Sequence, residues 1–483
     1  MKRANPKIRV SEYFELGRDQ TTLDFVDVPI GNDITVFLDP SRIRSMETTW
    51  AMECNSLLQH FFERLLDYIK LAEPEAGLAM LEGLSERNEF HLGFSRGLSQ
   101  GSGIGREFAQ AFWAALSKSK ASKTGLLKDL EDACLFIDGV GPDRISDAAC
   151  NILRGPLIKY TQDMCKYYGI PLQKNIDSGL VWNPTRAIWE DSLIELPVTP
   201  FGALLLVPKI AVRHRLAYDS QRYFRHYLLP RMQAHEKAIN SSLVKVLKDG
   251  TRIVTKAALC AKYGADKLTI ADETLKHSGV LDQYRRTAKR TSQPLTHNEF
   301  AELENIAAPE FHKLLSDVVN TPVGLKAAPE YENSIEALLS ALFFPSLSAP
   351  TKQNEIHEGR KRIDITYVNS AQSGFFYWVA MHYPAGHIFV ECKNYSQDVG
   401  NPELDQLAGR FSPSRGKVGM LVCRSANDDV RLTKRVIDTA SDQRGFILHL
   451  TDADLITLVE DYVQSNGNTN YPLLQKKFNK LIM

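Results

Sequence analysis

His387-Ile-Phe-Val-Glu-Cys-Lys-Asn-Tyr395 is an apolar run that abruptly carries a carboxylate and an amine two residues apart. Side chains of a strand alternate between faces, so Ile388, Val390 and Cys392 fall on the core face and Phe389, Glu391 and Lys393 on the other. Placing Glu391 and Lys393 on a sheet is costly unless they are used or paired. A plain Glu–Lys pair on an edge strand and a catalytic pair account for this stretch equally well.

The sequence upstream separates the two. Arg360-Lys-Arg-Ile-Asp-Ile-Thr-Tyr367 reads as a second strand, with Ile363, Ile365 and Tyr367 inward and Asp364 on the face of Arg362 and Thr366. Asp364 precedes Glu391 by 27 positions (391 − 364), enough for a connection and a return strand. Two carboxylates side by side repel, and both stay ionised only with a cation between them. Oxygen ligands without paired His or Cys favour Mg²⁺ over zinc. Two carboxylates, a hard cation and an amine on one sheet face are equipment for attacking a phosphodiester.

Asp364 followed by Glu391-Cys-Lys393 resembles the PD-(D/E)xK motif of the restriction-endonuclease-like nuclease superfamily. The flanking elements extend the resemblance over roughly 328–465. Tyr331 to Phe343 reads as a helix with Ile335, Leu338, Leu339 and Leu342 as its apolar stripe. Its Glu336 matches the helix carboxylate that many such nucleases place beside the metal, with Glu332 one turn earlier as competitor. Asn401 to Phe411 reads as a second helix, Asn-capped with Pro402 at its first position. Leu404, Leu407 and Phe411 face inward, and Gln406 shares the other side with Arg410, as the superfamily's helix Gln does. Ile363 stands where the motif's name has Pro.

The resemblance implies an α/β fold, a restriction-endonuclease-like mixed sheet flanked by helices, and a Mg²⁺-dependent deoxyribonuclease in which Mn²⁺ can substitute. Asp364, Glu391, the Cys392 backbone carbonyl and Glu336 would hold one or two ions. Lys393 would position or help deprotonate the attacking water, and Gln406 would fix the nucleophile or the Glu391–Lys393 strand. Arg360, Lys361 and Arg362 adjoin the site and could hold flanking phosphates. DNA, duplex before single-stranded, is the expected substrate. RNA as substrate, or a catalytically silent module for nucleic-acid binding or assembly, are the alternatives. By analogy with related nucleases, the expected setting is prokaryotic defence against foreign or phage DNA.

The whole chain bounds the rest. Its 483 residues call for two or three domains, and 43% hydrophobic with 24% charged residues excludes a mainly disordered chain. Lys plus Arg and Asp plus Glu each total 58, so global charge neither favours nor opposes nucleic acid. Seven scattered cysteines without a CxxC pair indicate neither a zinc knuckle nor a disulfide framework. With no apolar leader behind Met1-Lys-Arg-Ala-Asn-Pro-Lys7 and no run of membrane length, a cytoplasmic protein is expected.

Three segments are expected: an α+β regulatory or sensing domain over 1–204, a basic helical segment over 205–327 and the nuclease domain over 328–483. In the first, Asp24–Pro29 and Ile34–Asp39 suggest a hairpin, Ser56–Ile69 a helix with a core stripe, and roughly 146–168 another helix. The Gly/Ser-rich stretch Phe94–Arg106 is a helix-opening loop, with anion binding through backbone N–H groups as the alternative and the best sensing-site candidate. Asp138, Asp143, Arg144 and Asp147 are explained by helix capping, a second acidic site being the alternative.

From 205 to 300 there are 18 Lys or Arg against 8 Asp or Glu, a surplus of ten (18 − 8). Helices there carry aromatics near basic turns, with Arg285, Arg286, Lys289 and Arg290 as candidate phosphate contacts. A solvated face or a dock for the acidic remainder of the chain is the competing explanation. A homo-oligomer and an unidentified partner or trigger complete the expected partners.

Overall fold

The computed structural model describes residues 7–84, 88–93, 104–277, 279–356, 361–395 and 397–483, with backbone alone for 104, 105, 108, 353–356, 361 and 362. The chain is mixed α/β and forms two compact units rather than three segments: Met1–Leu16 with Val28–Leu295, and Gly17–Asp27 with Thr296–Met483.

The basic stretch therefore belongs mostly to the first unit. Its helices Lys256–Tyr263, Lys267–Lys276 and Val280–Thr291 are too short to enclose a core, and they bury Leu259, Ile270 and Tyr284 within that unit. Gly279, at φ +83°, caps the start of the third of these. The hairpin expected near residue 30 does not form: Phe37–Leu38 pairs antiparallel with Val212–Arg213 instead. Asp39 then caps the helix Pro40–Ser45, accepting from the Ser41 amide at 2.9 Å. The single helix expected over 146–168 is two, Pro142–Ile152 and Arg154–Tyr168. The Gly/Ser-rich loop lies outside the described residues as far as 103, and the helix it opens spans Ile104–Lys118.

The second unit is built on one five-stranded sheet. In chain order it contains α1 (His297–Glu304), α2 (Phe311–Asn320), α3 (Ala328–Phe343), β1 (Leu347–Ile356), β2 (Lys361–Asn369), α4 (Gly374–His382) and β3 (His387–Lys393). There follow α5 (Asn401–Ala408), β4 (Val418–Cys423), α6 (Asp429–Ser441), β5 (Phe446–Thr451), α7 (Asp452–Gln464) and α8 (Pro472–Ile482). Strands lie in the order β1-β2-β3-β4-β5, antiparallel at the first two junctions and parallel at the last two. Every residue of β4 is buried, as its unbroken apolar run requires of a central strand covered on both faces.

Strand β1 escapes sequence reading because Pro350 and a polar run argue against a strand. It stands at the sheet's edge, where a missing N–H is tolerated, and its register shifts between Ser348 and Thr351, with Ala349 at φ +47°. The aromatic cluster of the 370–386 insert serves packing: Phe375 and Phe376 are buried, and Phe376 meets Phe343 and Tyr471 edge-on.

Gly17–Asp27 also belongs to this unit. Leu23, Phe25 and Val26 are buried, and the Gln20 amide closes the loop, donating to the Phe25 carbonyl and accepting from the Asp27 amide. The Asp24 carboxylate accepts from the Ala349 amide at 2.8 Å, at the irregularity in β1.

Candidate active site

The antiparallel register pairs Ile365 with Val390 and Thr366 with Phe389, which brings Asp364 to the level of Glu391 at one end of the sheet. This is the C-terminal end of the parallel strands β3 and β4, where ligands of such sheets gather. One oxygen of Asp364 accepts from the Cys392 amide at 2.9 Å, so the carboxylate leans across the end of β3.

Glu391 is 1% exposed. A buried carboxylate needs partners, and Glu391 has two cations: Lys393 Nζ donates to Oε1 at 2.8 Å, and Arg410 Nη1 donates to Oε2. Lys393 also donates to Gln406 Oε1 at 3.3 Å, which joins α5 to the end of β3. Asp364, Glu391, Lys393 and Gln406 are thus brought to one place.

Glu336 is not brought there. Tyr367, which shares a sheet face with Ile388 and Val390, reaches Ser340 and the Glu336 carbonyl on α3. Phe389, on the face of Glu391, stacks on Phe411 beyond α5. Glu336 and Glu391 therefore lie against opposite faces of the sheet. Glu336 is fully buried and holds Arg18 Nη2 and, at 3.7 Å, Lys352 Nζ, while Ser340 donates to its other oxygen. Glu332 stands one turn nearer the start of the same helix, α3. Burial pushes the Cys392 thiol well up, and the charges of Asp364 and Glu332 add to it. The Cys392 side chain stays a neutral thiol, leaving its backbone as the group available to a cation.

Arg410 and Arg18 are the contacts sequence reading missed. Arg410 stands four residues after Gln406, a spacing that places both on one side, but an arginine there shows no preference for Glu391 over solvent. Arg18 lies more than three hundred positions from Glu336, and nothing in its local sequence signals the contact.

Of the expected phosphate contacts, Arg360 lies outside the described residues, and Lys361 and Arg362 are described only as backbone of β2. In the first unit Arg285 is committed to structure: its guanidinium pairs with the fully buried Asp132 and donates to the Leu126 carbonyl. Arg286, Lys289 and Arg290 lie on the exposed side of the helix Val280–Thr291.

The donor types suit a hard divalent cation, being carboxylate and carbonyl oxygens. The fit carries a condition, because both oxygens of Glu391 are hydrogen-bonded to cations. Among the described residues no three Asp, Glu, His or Cys side chains are grouped as a ready metal site.

Residues 15–219 are similar to a family described as a domain of unknown function, DUF8370. No curated protein and no solved structure matches the chain.

Proposed function

We propose that the second unit is a Mg²⁺-dependent endonuclease of the restriction-endonuclease-like kind that hydrolyses DNA. The observation that carries this reading is the meeting of Asp364, Glu391, Lys393 and Gln406 at one end of the mixed sheet, from elements in the order the motif requires. Asp364, Glu391 and the Cys392 carbonyl would hold the cation. A bound Mg²⁺ lowers the pKa of a water and stabilises charge on the scissile phosphate. Lys393, oriented by Glu391 and Gln406, supplies positive charge to the developing pentavalent phosphate and holds the attacking water. Gln406 keeps the amine aimed, and Asp364 fixes the end of β3 through the Cys392 amide.

Prokaryotic defence against foreign or phage DNA, in the cytoplasm and under control of the N-terminal half, is the setting proposed for this activity. Among the described residues no helix is long and apolar enough to cross a membrane.

The test is cleavage of duplex, nicked and single-stranded DNA, and of RNA, with Mg²⁺, Mn²⁺ or EDTA. DNA cleavage with either metal and none with EDTA is expected. Equal products with EDTA would refute the metal, and cleavage of RNA alone would refute the substrate. The pairing of Glu391 with both Arg410 and Lys393 favours one second reading, a silent module whose charges serve only structure. No cleavage of any substrate under any condition would select it.

On this proposal Arg286, Lys289 and Arg290 contact phosphates without reading sequence. Replacing all three by alanine is expected to flatten the plot of log affinity against log salt by roughly three, about one per charge. An unchanged slope would return them to the status of a solvated face.

A further inference from the structure

Glu391 carries more positive charge than it needs. A single buried carboxylate is balanced by one cation, yet Lys393 and Arg410 each hold one of its oxygens. Asp364 alongside brings the local sum to zero, but both oxygens of Glu391 are taken. A divalent cation would add two positive charges and needs a Glu391 oxygen that Lys393 or Arg410 now occupies. One partner has to leave. Lys393 is held at its other side by Gln406 and belongs to the reaction. Arg410 stands past the end of α5, in the turn that leads to Gly416, and its backbone is fixed independently of its side chain. Its amide donates to the Leu407 carbonyl, and its own carbonyl accepts from Arg415.

We propose that Arg410 is an exchangeable counter-ion, a positioning residue that holds Glu391 in place until the cation enters and then transfers its guanidinium to a backbone phosphate of the nucleic acid. The inference rests on the nuclease reading and extends it to the order of events. A planar guanidinium matches a phosphate as well as it matches a carboxylate, so the substrate offers Arg410 a partner equal to the one it loses. Cation and DNA then bind cooperatively. Linkage makes the effect reciprocal: DNA raises cation affinity by the same factor as the cation raises DNA affinity. The nuclease therefore holds little divalent ion until DNA arrives, which confines hydrolytic chemistry to the loaded complex.

The experiment titrates Mn²⁺ into the full-length protein and follows the free-ion signal by electron paramagnetic resonance, alone and with a phosphorothioate duplex that resists hydrolysis. Wild-type protein is expected to bind Mn²⁺ about tenfold tighter with the duplex present, and the duplex about tenfold tighter with Mn²⁺. Arg410→Met is expected to bind Mn²⁺ about tenfold tighter than wild type without DNA, and to lose most of the coupling. Arg410→Lys keeps the charge and is expected to retain weak binding in the DNA-free state. Should Arg410→Met fail to fold, the wild-type pair of titrations still decides. Equal Mn²⁺ affinity with and without duplex overturns the inference and leaves the nuclease reading standing. No Mn²⁺ binding in any state overturns both.

Discussion

Lys393→Ala is expected to slow Mg²⁺-dependent DNA cleavage by roughly a thousandfold while the protein stays folded and bound to DNA. The amine has two oriented partners, Glu391 at 2.8 Å and Gln406 at 3.3 Å, so its loss removes a charge already aimed. Arg410 remains on Glu391 in the variant, which spares the fold the cost of an uncompensated buried carboxylate. Asp364→Ala is expected to have the same effect through the other strand. The measurement is single-turnover plasmid nicking, with circular dichroism and a gel shift as controls. Unchanged nicking by both variants would remove these residues from the chemistry.

Arg285→Ala is expected to destabilise the first unit by about 3–5 kcal/mol, the cost of leaving a buried charge without its partner. Asp132 is fully buried, and Arg285 is the cation that pairs with it, at 2.5 Å. Burial lowers the Arg285 pKa, but its hydrogen bond to Asp132 and that residue's charge outweigh burial and raise it, so the guanidinium stays charged in the fold. Arg286→Ala, one residue on and exposed, is expected to change stability by less than about 0.5 kcal/mol. Urea unfolding of the two variants separates the roles within one short basic run. Equal and small effects would mean that the Asp132 pair contributes nothing to stability.

That run shows what sequence can and cannot convey. Four basic residues in Tyr284-Arg-Arg-Thr-Ala-Lys-Arg290 look alike until helical phase and a distant aspartate distinguish them. In the second unit α3, β2, β3 and α5 were legible, because each has its own periodicity or cap, and the unbroken apolar run of β4 suits a buried strand. Strand β1 was not legible, since Pro350 at an edge resembles a loop. The two-unit division was hidden for a related reason. Residues 205–295 differ from their neighbours in charge, but units form around shared cores, and charge does not mark a core boundary.

The site divides in the same way. Strand alternation put Asp364, Glu391 and Lys393 on the faces of their strands read as outward, a local rule, and the family resemblance brought Gln406 to them. The preference for Glu336 over Glu332 could not be settled locally, because it turns on which helix residue sits level with the end of β3. Arg18, arriving from a segment near the chain's start, answers the Glu336 carboxylate instead. Such a partner follows from the path of the chain, to which no spacing rule applies.

The central claim is that Asp364 and Glu391 share a divalent ion beside Lys393. A crystal of the full-length protein grown with Mn²⁺ and a phosphorothioate duplex tests it most directly, through the anomalous difference map. The expected result is a manganese peak ligated by Asp364, Glu391 and the Cys392 carbonyl, with the Arg410 guanidinium moved onto a phosphate. A bound duplex with no manganese at these residues, and Glu391 still held by Arg410 and Lys393, would contradict it.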